Sequence, residues 1–179
     1  MELLEKAYRF MLKAHGQQKR KTDNSPYVIH PLMVAKKLAQ LDFPDTVIVA
    51  AMVHDILEDT DVTEQTLRQE LGDEVVDIIL PLSEDKSLEW EERKERYIED
   101  VKNASIESKA VAIADKIHNL ESLLATYKDL GPNIWTKFNR GKEQKMHFEE
   151  EMLKVFKNTW QNPMIAEYEK LLEQVKKLD

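Results

Sequence analysis

The chain has 179 residues, 42% of them hydrophobic, which is the usual size of one domain with its own core. Its 34 acidic residues outnumber its 26 basic ones, and the net charge of −8 argues against binding to nucleic acid or to an anionic membrane surface. Cysteine is absent, which excludes disulfides and thiolate ligands, so histidine and carboxylate side chains must hold any metal.

The first predicted helix, residues 3–14, repeats apolar residues at three- and four-residue spacings and ends at Gly16. No apolar run in the chain approaches the roughly 18 residues of a membrane span, and we expect a cytoplasmic protein without a membrane partner. Only four glycines and six prolines occur in a chain rich in leucine, glutamate, lysine and alanine. This composition predicts an all-α protein.

Residues 17–27 form the first predicted loop, and they contain three adjacent cations, Lys19, Arg20 and Lys21. A solvated loop is the alternative interpretation of this basic run. Pro31 is typical of a first helical position, which places His30 at the rim where the second helix begins.

Pro44 begins the third predicted helix, which continues to Asp59 and is apolar almost all round. The remaining predicted segments are an amphipathic turn at 63–72, an apolar helix at 75–80, a charged surface helix or lid at 84–102, a buried helix at 105–124, and helices at 142–160 and 164–178. We expect one helical bundle of about eight to ten helices, a single domain over residues 1–179.

The third helix is interrupted by His54 and Asp55, and polar groups in an apolar helix are costly unless they are paired or bind something. At about 100° per residue, His54, Asp55, Glu58 and Asp59 share one helical face. Three carboxylates this close repel one another, which favours a divalent cation among them. The alternative is a frayed acidic helix end beside a hydrogen-bonded core histidine.

Two further residues fit a metal site, because His30 at a helix start and Asp115 inside an apolar helix are hard to explain as surface residues. With His54 and Asp55 they give two histidines and two aspartates. This ligand set suits one Mn2+, Fe2+, Mg2+ or Zn2+ ion with positions left for water and a substrate oxygen.

The order His30, then His54-Asp55, then Asp115 resembles the signature of HD-domain metal-dependent phosphohydrolases. Four strings, at 15–17, 25–31, 50–60 and 114–120, resemble the RelA/SpoT-type alarmone hydrolases of the stringent response, including their small stand-alone forms. The resemblance covers roughly residues 7–124. It implies removal of pyrophosphate from the 3′ position of guanosine 3′-diphosphate 5′-di- or triphosphate, usually with manganese (Mn2+).

The resemblance also implies roles for residues around the metal. Glu58 and Asp59 match a pair that helps to position and activate the attacking water, and either can be the base. Lys19 and Arg20 match the cations that contact the nucleotide.

On the predicted helix at 105–124, Asn119 lies four residues after Asp115 on the same face and matches a nucleotide-contacting position, with Ser122 nearby as a weaker candidate. Arg140 and Lys142 precede a predicted helix and could bind phosphate, although a solvated helix start is the alternative.

The chain departs from the alarmone hydrolases at Ala112 and Glu121, where the family usually has Lys and Arg. Two cations near the site are therefore missing. The alternatives to alarmone hydrolysis are an HD hydrolase acting on another nucleotide or phosphate ester, and a non-catalytic nucleotide sensor. The expected partner is a small-molecule nucleotide substrate.

Overall fold

The computed structural model describes residues 2–179, which form ten α-helices and two 3-10 helices, Leu80–Leu82 and Gly131–Lys137. The α-helices are α1 Leu3–His15, α2 Ile29–Ala39, α3 Asp45–Val53, α4 Ile56–Asp59, α5 Glu64–Leu71, α6 Asp73–Ile79, α7 Trp90–Asn103, α8 Ile106–Leu130, α9 Gly141–Thr159 and α10 Pro163–Lys176. Residues 2–179 contain no β-strand, only an isolated bridge between Lys19 and Pro26. The all-α prediction is confirmed.

Several helix ends lie where the sequence predicts them. The Thr63 side chain accepts a hydrogen bond from the backbone N–H of Thr66 and so caps α5. The C-terminal end of α1 is Gly16, whose φ of 45° is in the left-handed region that glycine adopts at low cost. The Gly16 N–H also donates to the carbonyl of Leu12, so each cap satisfies one backbone group at its helix end.

Helix α8 is the central element of the bundle. It has 25 residues, packs against α2, α3 and α10, and has apolar side chains such as Ile113, Ile117 and Leu120 that are fully buried. Burial of each such side chain contributes about 1.5–3 kcal/mol to folding. This central position brings Asp115 next to α2 and the C-terminal end of α3. None of the helices within residues 2–179 combines the length and apolar character needed to span a bilayer.

The structure differs from the sequence prediction at two points that matter for the site. Helix α3 ends at Val53, and His54 and Asp55 form a turn before α4 begins at Ile56. Helix α2 begins at Ile29, so His30 is buried in its first turn instead of lying at the rim. Proline is tolerated at position 31 because backbone N–H groups in a first helical turn have no partner within the helix.

The charged segment predicted at 84–102 is helical only in α7, and residues 83–89 form a loop beside the site. Asp85 shapes this loop by accepting hydrogen bonds from the backbone N–H and hydroxyl of Ser87. Helix α8 extends beyond the predicted end at residue 124 to Leu130. Its last turns continue the apolar pattern, because Tyr127 and Leu130 pack against the core.

Candidate active site

Three buried side chains converge where α2, α3 and α8 meet. His30 comes from the first turn of α2, His54 from the turn after α3, and Asp115 from the middle of α8. One ligand atom from each lies within 4.8 Å of the others. A grouping of this kind is suited to holding a divalent metal ion.

Asp55 joins this cluster, so the structure brings together all four residues predicted as metal ligands. Its Oδ2 lies 3.5 Å from His30 Nε2, and its Oδ1 lies 3.2 Å from His54 Nε2. On the opposite side, Asp115 Oδ1 lies 3.0 Å from His30 Nε2 and 3.8 Å from His54 Nε2. Both carboxylates thus lie within 4 Å of both imidazole Nε2 atoms.

The hydrogen bond of His54 fixes the orientation of its ring. Its Nδ1 lies 2.7 Å from the carbonyl oxygen of Ala51, which can only accept, so Nδ1 carries a hydrogen. Its Nε2 faces the cluster and is buried without a hydrogen-bond partner among residues 2–179. Burial lowers the pKa of His54, but the charges of Asp55 and Asp115 outweigh it and raise that pKa to about 9. The cluster therefore attracts positive charge, which a divalent cation also provides.

His118 orients the other histidine, a role that the sequence did not reveal. Its Nδ1 lies 2.7 Å from His30 Nδ1. Burial, followed by the charge of His30, lowers the pKa of His118 to about 4, so its neutral ring can accept a hydrogen bond from His30. His30 Nε2 is then free to offer its lone pair to a metal, as is usual for histidine ligands supported by an outer partner.

Glu58 and Asp59 lie on α4 and line the same cavity. The Tyr27 hydroxyl lies 2.5 Å from Asp55 Oδ2 and 2.9 Å from Asp59 Oδ2, so it connects the metal cluster to this pair. Lys86 contacts Asp59 and lies 3.4 Å from Glu58 Oε1. Burial raises the pKa of Glu58, and the charge of Asp55 adds to the effect. A carboxylate with a raised pKa is a better proton acceptor near neutral pH.

The cavity has a volume of about 750 Å³, and the predicted basic loop forms one of its edges. Arg20 Nη2 donates to Asn119 Oδ1 at 3.1 Å, and Asn119 Nδ2 donates to Asp115 Oδ1 at 2.6 Å. Asn24, with φ of 60°, adopts the left-handed conformation that lets the loop turn back. A cation from the loop is thereby held one contact away from the metal cluster.

The other predicted substrate contacts are divided between the cavity and its exterior. Lys19, Ser122 and Arg140 line the cavity, and Arg140 Nη2 also pairs with Glu91 at 3.0 Å. The prediction for Lys142 is corrected: this side chain lies outside the cavity, where its ammonium contacts the carbonyl of Leu178. Helix α9 begins at Gly141, which directs Arg140 and Lys142 to different sides.

A wall of the cavity that the sequence analysis did not identify carries lysines packed on aromatic rings. Lys94 and Tyr97 come from α7, Lys116 from α8 and Phe148 from α9, and all four line the cavity. One signal was available, since Lys116 follows Asp115 inside an otherwise apolar segment, where an unpaired lysine is costly.

The HD domain family matches this chain over residues 7–158. Guanosine-3′,5′-bis(diphosphate) 3′-pyrophosphohydrolase MESH1 of Xenopus tropicalis is 35% identical over 137 residues, which are 75% of this chain and 74% of that protein. Guanosine-3′,5′-bis(diphosphate) 3′-pyrophosphohydrolase of Aquifex aeolicus is 34% identical over 125 residues, 68% of this chain and 18% of that much longer protein.

A solved structure described as a metazoan ortholog of SpoT that hydrolyzes ppGpp superposes with a TM-score of 0.81. The superposition covers 97% of this chain and 96% of that one. At 24% sequence identity, this similarity establishes a shared fold.

Proposed function

Because the chain belongs to the HD domain family, we propose that it is a metal-dependent phosphohydrolase that removes the 3′-pyrophosphate from guanosine 3′-diphosphate 5′-di- or triphosphate. The observation that carries the proposal is the cluster of His30, His54 and Asp115 beside Glu58 and Asp59 in one cavity. The proposal treats residues 1–179 as one functional HD-type unit. A cytoplasmic location stays a prediction.

The residues of the cluster fit one divalent metal ion. The buried, unpartnered Nε2 of His54 within residues 2–179 is the atom that a metal would satisfy, and the second aspartate, Asp55, completes a set with His30 and Asp115. We propose manganese (Mn2+) as the preferred ion, since nitrogen and carboxylate oxygen ligands suit it. A divalent cation supplies Lewis acidity, which polarises a phosphoryl oxygen and lowers the pKa of water enough for attack near neutral pH.

Glu58 and Asp59 differ in their surroundings, and we propose different roles for them. Asp59 contacts the Tyr27 hydroxyl and the Lys86 ammonium, so it is held in place and suited to orienting the attacking water. Glu58 is half-buried, and burial raises its pKa, so it is the better candidate for accepting the proton. Both side chains act from outside the set of four ligands.

Arg20, Lys19 and Asn119 would bind the nucleotide. Arg20 is held at the cavity edge by Asn119, and its planar guanidinium can pair with a phosphate or stack on the guanine base. Ser122 and Arg140, which also line the cavity, are weaker candidates for the same ligand. These cations offset the carboxylates around the cluster, which would otherwise repel a polyphosphate.

A hydrolysis assay tests the proposal. Purified protein supplied in turn with Mn2+, Mg2+, Fe2+ and Zn2+ is incubated with guanosine 3′,5′-bis(diphosphate), with other phosphorylated nucleotides and with simple phosphate esters. We expect GDP and pyrophosphate as products, fastest with Mn2+. Release of inorganic phosphate instead of pyrophosphate would contradict the proposed reaction. Hydrolysis of other nucleotides only would contradict the proposed substrate.

The variants His54→Ala and Asp115→Ala show whether that turnover belongs to the cluster. Lys109→Met is a matched control, because Lys109 is a buried residue on α8 outside the cavity. We expect activity to be lost in the two cluster variants and kept in the control. Binding without turnover in the wild type, with every metal tested, would support the sensor interpretation.

A further inference from the structure

Two lysines in the cavity wall share the same pair of aromatic rings. Lys94 Nζ lies 4.6 Å from the ring centroid of Phe148 and 5.9 Å from that of Tyr97. Lys116 Nζ lies 4.9 Å from the Tyr97 centroid and 5.3 Å from the Phe148 centroid. Their side chains are only 19% and 10% exposed. We call Lys94 and Lys116 the lysine pair.

The charges around the lysine pair are incompletely balanced. Glu84 contacts Lys94, but it also lies 2.8 Å from Arg93 Nε. Lys116 Nζ lies 3.0 Å from Asp115 Oδ2, and the charge of the buried Glu149 also acts on Lys116, although Glu149 is paired with Lys145. Four cations on this wall therefore share three carboxylates, and one of the three, Asp115, also belongs to the metal cluster. Two buried like charges repel, so this arrangement favours an additional anion in the cavity.

The excess of positive charge shows at Lys94 alone, because burial lowers the pKa of Lys116 but the charge of Asp115 outweighs burial and holds that pKa well above its usual range. Burial lowers the pKa of Lys94, and the charge of Lys116 lowers it further, while Glu84 opposes both effects. An anion placed between the two ammonium groups would relieve their repulsion. Both lysines line the cavity, so a ligand can reach them.

The lysine pair adjoins the metal cluster through a single carboxylate. Asp115 Oδ1 faces His30 Nε2 at 3.0 Å, and Asp115 Oδ2 faces Lys116 Nζ at the same distance. Asn119, which holds Arg20, donates to Oδ1. Asp115 therefore contacts the lysine pair through Oδ2, and the metal cluster and the proposed nucleotide contact Asn119 through Oδ1.

We infer that the lysine pair is the subsite for the terminal phosphate of the 3′-pyrophosphate, the phosphate that is not attached to the ribose. The inference rests on the proposed function, which places the phosphate to be attacked at the cluster. Its neighbour is then one bridging oxygen away, and Lys116 and Lys94 are the buried cations next to that position. Lys86 is less suitable because it is 48% exposed and is already paired with Glu58 and Asp59.

This subsite would select for a diphosphate over a monophosphate at the 3′ position. A site built to pair with a charged group loses much of its affinity for a ligand that lacks the group. Lys94 is the better test residue, since it contacts neither Asp115 nor the histidines in the ion pairs and hydrogen bonds described for residues 2–179.

The experiment measures nucleotide affinity in a background that cannot turn over. The Glu58→Gln, Asp59→Asn double variant with Mn2+ is titrated calorimetrically with two ligands, guanosine 3′,5′-bis(diphosphate) and guanosine 5′-diphosphate 3′-monophosphate. Adding Lys94→Met should weaken binding of the first about tenfold or more and of the second less than about twofold, because one charge-assisted contact is removed. Lys94→Arg, which keeps the charge, should retain most of the preference, and Lys109→Met should change neither affinity.

Three outcomes would overturn the inference. One is an equal loss of affinity for both nucleotides, a second is no loss for either, and a third is loss of the preference in Lys94→Arg as well as in Lys94→Met. Circular dichroism and thermal melting check the fold, and if Lys94→Met does not fold, Lys94→Gln takes its place. If neither nucleotide binds and the wild type hydrolyses neither, the proposed function has failed and the inference falls with it. If the wild type turns over and the Lys94 variants keep the wild-type preference for the 3′-diphosphate over the 3′-monophosphate, the inference is rejected and the proposed function stands.

Discussion

The cavity has a side made of histidines and carboxylates, His30, His54, Asp55, Asp115, Glu58 and Asp59, and a side made of Lys94 and Lys116 on the rings of Tyr97 and Phe148. We call them the carboxylate side and the lysine side. The first attracts cations and the second attracts anions. A phosphate-transfer site needs both, because the reacting group is an anion that must be brought to a cation held by carboxylates. The comparison teaches that the two sides meet on α8, where Asp115 belongs to the carboxylate side and its neighbour Lys116 to the lysine side.

The double substitution Glu58→Gln with Asp59→Asn should have the largest effect on turnover. It removes the proton acceptor and the water-orienting group from the carboxylate side, so we expect kcat to fall by about 10³-fold or more. Metal content and nucleotide affinity should persist. The measurement is pyrophosphate release together with elemental analysis and calorimetry.

Glu107→Gln, on the exposed first turn of α8, is the control for that double substitution. Pyrophosphate release at the wild-type rate by the double variant would place the catalytic carboxylates elsewhere. The assignment of catalysis to the carboxylate side would then be wrong.

His118→Phe tests whether the carboxylate side depends on its outer contacts. The variant removes the acceptor for His30 Nδ1 while keeping a ring of similar shape, so we expect metal affinity to fall about 10- to 100-fold. Competition with a fluorescent chelator measures this affinity. His147→Phe, which replaces an exposed histidine of α9, should leave this affinity unchanged. Unchanged affinity in His118→Phe would show that His118 only packs.

Arg20→Ala sharpens the comparison from the substrate side. Arg20 contacts Asn119 at the cavity edge and none of the four proposed metal ligands. Because its proposed role is to bind the nucleotide, KM should rise about tenfold with kcat little changed. Steady-state kinetics on the bis(diphosphate) gives both parameters. The exposed Arg9, which pairs with Glu5 away from the cavity, supplies the control Arg9→Ala. A fall in kcat at constant KM would show that Arg20 acts in the chemical step instead of in nucleotide binding.

Lys86→Met should produce the smallest change, a shift of the pH profile. The charge of Lys86 lowers the pKa of Glu58, opposing burial, so its removal should raise that pKa. A base is active only when deprotonated, and the acid limb of kcat should therefore move to higher pH by less than about one unit. A limb that moves to lower pH, or does not move, would argue against Glu58 as the base.

The carboxylate side could be predicted because its residues carry local signals. His54 and Asp55 are adjacent in an apolar segment, and Asp115 interrupts another, so each is visible as a costly polar group. The structure places them together as expected. The turn at His54 was not predicted, because the apolar pattern continues through Ile56 and gives no sign that the histidine side chain bonds the carbonyl of Ala51.

The lysine side could not be predicted because three separate helices build it. Lys94 lies in a run of charges that is typical of a solvated surface, and only the packing of α7 against α9 sets it on Phe148. Lys142 shows the opposite error, a residue that the sequence predicts for the site and the structure places outside the cavity. Lys142 is two residues from Arg140 in the sequence, which suggested a shared role. At the start of α9, however, the Lys142 side chain contacts the carbonyl of Leu178.

Metal content tests the central claim most directly. Wild type, His54→Ala and Lys109→Met are purified without chelator, supplied with Mn2+, desalted and measured by elemental analysis, with circular dichroism as a check of fold. Our account predicts about one divalent ion per chain in the wild type and in Lys109→Met, and almost none in His54→Ala. Equal metal content in all three proteins would contradict the assignment of the cluster as the metal site.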